Sequence, residues 1–124
     1  MKTALVIEDN DDNMELITFI LEASGYRTVR AETGLRGVEL ALSAGPDFVI
    51  LDIQLPDIPG SEVLRRIRAE AAGRAVPIIA MTSHAMSGDR ESLLAAGCTG
   101  YIEKPIDPGR VMEQIRQVIG EDGP

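Results

Sequence analysis

Residues 48–60 read FVILDIQLPDIPG. Phe48-Val49-Ile50-Leu51 is apolar at successive positions, stops at a carboxylate, Asp52, and gives way to a loop punctuated by Pro56, Pro59 and Gly60. A short apolar run without alternation is the pattern of a central parallel strand, because both of its faces are covered. Two other runs share it, Ala4-Leu5-Val6-Ile7 and Ile78-Ile79-Ala80-Met81. Thr28-Val29-Arg30-Ala31 and Thr99-Gly100-Tyr101-Ile102 are more mixed and read as strands nearer a sheet edge.

Helical periods fill the gaps between these runs. Leu16, Phe19, Ile20 and Ala23 fall on one stripe, widened by Ile17 and Leu21; Leu35, Val38 and Leu42 form a second. Leu64, Ile67 and Ala71 form a third, and Val111, Ile115 and Val118 a last one, flanked by Met112 and Ile119. Ser87–Ala96 is a weaker helix with only Leu93 and Leu94 as anchors, and Met81 and Met86 read as core and near-core. Thr33 reads as an N-cap, and Asp107-Pro108 as an N-cap followed by proline at the first helical position. Gly25, Gly45, Gly73 and Gly97 sit where helices end in a left-handed residue. Five strand–helix pairs with short connections predict an α/β fold, a (βα)5 three-layer sandwich with right-handed crossovers.

Open parallel sheets bind ligands beyond the carboxyl ends of their strands. The residues there are Glu8-Asp9 after the first strand, Asp52 after the third, Thr82-Ser83 after the fourth and Lys104-Pro105 after the fifth. Three carboxylates, a hydroxyl and an ammonium thus meet at one sheet edge. Like charges about 5 Å apart cost roughly 3 kcal/mol per pair at an effective dielectric near 20. Protonation, Lys104 or a cation must offset that. An oxygen-only set without His or Cys favours a hard cation, Mg2+ or Mn2+. No Walker-type or dinucleotide glycine loop is present. Asp9-Asn10-Asp11-Asp12-Asn13 opens like an EF-hand loop, but Met14 and Ile20 stand where glycine and glutamate are needed. Asp11 and Asp12 read instead as acids in the first turn of a helix.

The chain has 124 residues and a formal net charge of -8. That length fits one domain, 1–124, with a core over 2–119 and a polar tail over 120–124. The acidic balance excludes a basic footprint for nucleic acid or for an anionic membrane surface. The single cysteine, Cys98, reads as a packed small hydrophobe. No run has the length of a membrane span, the N-terminus does not read as a signal peptide, and a cytoplasmic location is expected.

The acidic pair in VIEDN, Asp52 in FVILDIQLPDIPG, Thr82 in PIIAMTS and Lys104-Pro105 in GYIEKP together resemble the receiver domain of two-component response regulators, from Lys2 to about Ile119. The likeness is strongest to small single-domain regulators and to the receiver modules of hybrid kinases. It implies a flavodoxin-like five-stranded sheet of order 2-1-3-4-5. It implies that Asp52 accepts a phosphoryl group from a sensor histidine kinase or a histidine phosphotransfer protein. It implies Mg2+ held by Asp9, Asp52 and the backbone carbonyl of Gln54, with Glu8 acting through a water. Lys104 and Thr82 would bind phosphoryl oxygens, Tyr101 would swing inward, and the bond before Pro105 would be cis. Such a chain is not an enzyme beyond its own aspartyl phosphorylation and dephosphorylation. Its downstream protein partner is expected on the face of residues 87–96, 99–102 and 108–119. Glu8 replaces the more usual Asp, and Gln54 and His84 stand where side chains tune phosphate lifetime. Two other classes stay open: a non-phosphorylated scaffold of the same fold, and an enzyme of flavodoxin-like or haloacid-dehalogenase type. The second wants an Asp where Gln54 stands.

Overall fold

The computed structural model describes residues 1–83 and 87–120, with side chains for all of these except 87–89. The elements run β1 (Thr3–Ile7), α1 (Asp11–Ala23), β2 (Arg27–Ala31), α2 (Gly34–Ser43), β3 (Phe48–Asp52), α3 (Gly60–Ala69), a 3-10 turn (Ala71–Gly73), β4 (Ile78–Thr82), α4 (Ser87–Ala96), β5 (Gly100–Glu103) and α5 (Val111–Ile119). All neighbouring strands pair in parallel, in the order β2-β1-β3-β4-β5. The mixed runs are the edges and the continuous apolar runs are the centre, as burial on two faces requires.

Side chains alternate across a strand, so each strand feeds two cores. Ala4, Val6, Phe48, Ile50, Ile79, Met81 and Ile102 pack with α1 and α5 through Met14, Ile17, Leu21, Val111 and Ile115. Leu5, Ile7, Val49, Leu51, Ile78 and Ala80 pack with α2, α3 and α4 through Ala41, Val63, Leu64, Ile67 and Leu93. This is the expected three-layer sandwich.

Several local expectations need correction. On α1 the buried stripe is Met14, Ile17, Thr18 and Leu21, while Phe19 is 72% exposed. Thr18 can be inside because its hydroxyl donates to the Met14 carbonyl at 2.7 Å, one turn back. On α2 the buried residues are Gly34, Gly37 and Ala41, and Leu35 is exposed. A Cβ on Gly37 would lie 2.5 Å from the Ile7 side chain, so closeness of approach replaces apolar bulk there. Gly73 is not left-handed; a Cβ there would lie 2.3 Å from the Ile67 carbonyl oxygen. On α3 the contact is Val63, Leu64 and Ile67, with Ala71 exposed beyond its end. Of the two α4 anchors only Leu93 is buried; Leu94 is 47% exposed. Asp107-Pro108 opens a turn that precedes α5, with the Asp107 carboxylate accepting from the Gly109 amide at 3.0 Å. Gly120, placed in the tail by the sequence, is the left-handed cap of α5. His84, Met86 and residues 121–124 lie outside the described residues.

Candidate functional site

The register of the sheet builds the site. Ile7 stands opposite Leu51, so the next residues, Glu8 and Asp52, emerge level with one another. Alternation puts both on the α1/α5 face, with Val6 and Ile50. Both are buried, at 5% and 4% exposure, and Asp9 stands beside them exposed. Carboxylate oxygens of Glu8, Asp9 and Asp52 lie within 4.8 Å of one another. Lys104 follows Ile102 by two residues and reaches the same place from the β5 side. Its Nζ stands 3.0 Å from Asp52 Oδ1 and 3.7 Å from Glu8 Oε1. Two backbone amides complete the cradle: Gln54 donates to Asp52 Oδ1 at 3.1 Å and Asn10 to Glu8 Oε2 at 3.2 Å. The Lys104 amide donates to the Thr82 carbonyl at 2.8 Å, and the Lys104-Pro105 bond is cis.

One ammonium faces three acids, and Glu8 registers the shortfall. Its carboxyl is pushed up to about 7, first by burial, then by the hydrogen bond and the charge of Asp52; the Asn10 amide and Lys104 pull it partly back. Three carboxylates clustered beside one ammonium make a place where a cation is favoured. The donors are oxygens only, which suits a hard divalent ion with part of its shell left to solvent.

Thr82 and Tyr101 lie on the other side of the sheet. Met81 belongs to the α1/α5 core, so its neighbour Thr82 faces α3 and α4, where it lines a cavity of about 240 Å³ together with Ile53, Gly60 and Leu93. Tyr101 is half-buried and packs against that second core. The Arg90 guanidinium of α4 lies over its ring, 4.7 Å from the centroid. The acids and Lys104 thus occupy one face, and Thr82 and Tyr101 the other.

Two residues went unnoticed in the sequence. Asn10 caps α1, accepting from the Asn13 amide at 2.9 Å. An Asn just before a helical period is itself a start signal. Asp57, in the loop after β3, accepts from the amides of Gly34 and Leu35, both at 2.8 Å, and so caps α2. Those bonds span 23 and 22 residues, so no local pattern announces them.

Comparison with known proteins extends this geometry. The family description "Response regulator receiver domain" matches residues 4–116. The chain belongs to the response-regulator receiver family. It is 41% identical over 120 residues to the polar-differentiation response regulator DivK of Brucella ovis, covering 97% of this chain and 98% of the relative. Among solved structures it superposes on the receiver domain of the sensor histidine kinase PA1611 from Pseudomonas aeruginosa with a TM-score of 0.87 and 36% identity, over 97% of this chain and 98% of that one. That structure has a magnesium ion coordinated in its active-site cleft. The Vibrio cholerae chemotaxis regulator CheY4 gives a TM-score of 0.91 at 24% identity, over 95% of this chain and 98% of that one, a likeness of fold. As a receiver domain the chain is a module of phosphorylation-regulated two-component signalling, with histidine kinases or phosphotransfer proteins as its general class of partner. Among the described residues no helix is long and apolar enough to cross a membrane.

Proposed function

We propose that Asp52 is the phosphoacceptor of a receiver domain spanning residues 1–124. A carboxylate oxygen of Asp52 attacks the phosphorus of a donor phosphohistidine. The phosphorus–nitrogen bond breaks, and its electron pair leaves with the imidazole. The observation that carries the reading is the position of Asp52. It is buried at the end of a central strand, level with Glu8, with Lys104 Nζ at 3.0 Å. A carboxylate is repelled by a phosphoryl dianion, so the site must supply positive charge to both. Lys104 does so by turning from the carboxylate pair to a phosphoryl oxygen. Asp9, Asp52 and the Gln54 carbonyl would hold one Mg2+ or Mn2+, with Glu8 in its outer sphere. Bound there, the ion would supply positive charge to offset the negative charge of the phosphoryl oxygens. A groove of about 510 Å³ lined by Asn13, Leu16, Lys104 and Ile106 leaves the lysine open to a donor. The chain's own residues perform transfer from the donor and hydrolysis of the product, so it acts as a switch; the place proposed for it is the cytoplasm.

The test is incubation with acetyl phosphate or phosphoramidate and Mg2+. One base-labile phosphoryl group is expected, and none in Asp52→Asn. Equal labelling of that variant, or label on His84, would overturn the reading.

The output face is the second part of the proposal. Thr82 moves toward the new phosphoryl group, Tyr101 follows inward, and α4 shifts. The support is the cavity beside Thr82 and the thin anchoring of α4, whose one buried apolar side chain among the described residues is Leu93. The downstream protein then reads residues 87–96, 99–102 and 108–119. Amide shifts on adding beryllofluoride should run from the site into this face; shifts confined to the site loops would refute the route.

A further inference from the structure

We infer that Asp57 is a positioning residue for the cation site, acting through the loop that carries Gln54. The inference rests on the phosphoacceptor reading above, since it concerns the same site. Three observations carry it. The loop from Ile53 to Pro59 leaves the sheet at Asp52, and its Gln54 amide donates to Asp52 Oδ1 at 3.1 Å. At its far end the Gly60 amide donates to the Ile53 carbonyl at 3.1 Å, and a Cβ on Gly60 would lie 2.7 Å from Ile53 Cα. Between those ends the loop is tied outward by its one carboxylate, Asp57, through both oxygens, to the first two amides of α2.

The packing at that tie is tight. A Cβ on Gly34 would lie 2.7 Å from the Ile58 side chain and 3.2 Å from Asp57 Oδ1, so the start of α2 and the loop fit against one another without slack. The α2 amides also hold the Asp57 carboxyl below its ordinary value. A backbone carbonyl is a useful ligand only when its direction is fixed, because a hard cation gains from oriented dipoles and gains less when it must order a mobile loop. Asp57 fixes that direction from outside the site. It touches neither the cation position nor Asp52, so it is a positioning residue and not a catalytic one. The bonds it makes are charge-assisted, which makes two of them a firm tether even at the surface.

A control lies on the same helix. Thr33 caps α2 as well, its hydroxyl accepting from the Arg36 amide at 3.2 Å, a bond made within the start of the helix and not to the loop. Asp57→Ala and Thr33→Ala therefore both uncap α2, and only the first frees the loop. The experiment is Mg2+ titration of the parent and the variants by calorimetry, with amide exchange of the metal-free proteins alongside. Asp57→Ala should raise the Mg2+ dissociation constant by about tenfold, the low end of what outer-shell partners are worth. Asp57→Asn keeps one carbonyl acceptor and should fall between. In the metal-free state the Gly60 amide should exchange faster in Asp57→Ala than in the parent, and at the parental rate in Thr33→Ala. An unchanged dissociation constant in Asp57→Ala, with the parent binding Mg2+, overturns the positioning role and leaves the phosphoacceptor reading standing. An equal loss in Thr33→Ala overturns it too, since the effect would then come from α2 itself. A parent that neither binds Mg2+ nor takes label on Asp52 overturns both.

Discussion

Asp52 and Asp57 are five residues apart in one segment and live in opposite electrostatic worlds. Asp52 is buried beside Glu8, with one ammonium between the two acids, and Glu8 is driven up to about 7. Asp57 is exposed and meets two amides that have no other partner in their helix, and its carboxyl is held low. The first arrangement crowds like charges and, on the reading proposed above, leaves a place for a cation and a phosphoryl group. The second favours stability and leaves nothing unsatisfied. On the phosphoacceptor reading proposed above, a functional carboxylate and a structural one are separated by what surrounds them, since the side chains are identical.

The largest break in that comparison should come from Lys104. Lys104→Ala leaves Glu8 and Asp52 buried without their cation. At pH 8 the metal-free protein should lose about 3 kcal/mol, the low end of the cost of breaking a buried pair. Urea unfolding at pH 8 and pH 5 checks it. The loss should shrink at pH 5, where Glu8 carries a proton; equal losses at both values would mean that Lys104 acts through packing.

Glu8→Gln should act in the opposite direction. The folded carboxyl titrates near 7 against an ordinary 4.5, so the folded state holds its proton where the unfolded state has lost it. Its favourable contribution is complete below about 4.5 and is lost as the pH rises through 7. Glutamine keeps the shape without the charge. The metal-free variant should match the parent near pH 5 and exceed it at pH 8 by about 1–3 kcal/mol, the scale of one like-charge pair. A gain that does not change with pH would place its origin elsewhere.

How much of this was legible in the sequence follows from where each signal resides. The strands were legible because central parallel strands are apolar on successive residues, and FVILD and IIAMT are. The convergence of Glu8, Asp9, Asp52 and Lys104 was legible because parallel strands place their carboxyl ends together. Helix faces were less so. The α1 stripe was misread by two positions because Thr18, polar in the sequence, is buried by bonding the Met14 carbonyl. The α2 face was misread because it rests on Gly34 and Gly37, which hydropathy does not count. The split of Glu8, Asp52 and Lys104 from Thr82 and Tyr101 required the register, and Asp57 required contacts across more than twenty residues.

Asp57→Ala should move stability less than either change at the acid cluster, and with the reverse pH dependence of Glu8→Gln. The folded Asp57 carboxyl lies below its ordinary 3.8, so its contribution is present above that value and fades as the pH falls through the lowered one. Parent and variant should therefore differ at neutral pH and converge in acid, as acid unfolding curves would show. A difference that persists undiminished in acid would mean that Asp57 acts other than through its charged carboxylate, and no difference at neutral pH would mean that the two amides of α2 find other partners.

The smallest effect on the metal-free fold should come from Asp9→Asn, and it separates charge strain from cation binding. Asp9 shares the cluster but is exposed, and solvent screens its repulsion with Glu8 and Asp52. The metal-free variant should stay within about 0.5 kcal/mol of the parent, as surface changes do. Its response to Mg2+ should nonetheless collapse. An ion that binds only the assembled site stabilises the fold by linkage, in proportion to its affinity. Asp9 offers the ion an oxygen that needs little desolvation, whereas Glu8 must first lose its proton. Thermal unfolding of both proteins, with and without Mg2+ at fixed ionic strength, reads the two quantities at once. A parent raised by Mg2+ beside an unresponsive Asp9→Asn of equal metal-free stability puts Asp9 on the cation. If Asp9→Asn is markedly less stable without metal and responds to Mg2+ as the parent does, then Asp9 is a structural acceptor, and the electrostatic strain of the site lies between Glu8 and Asp52 alone.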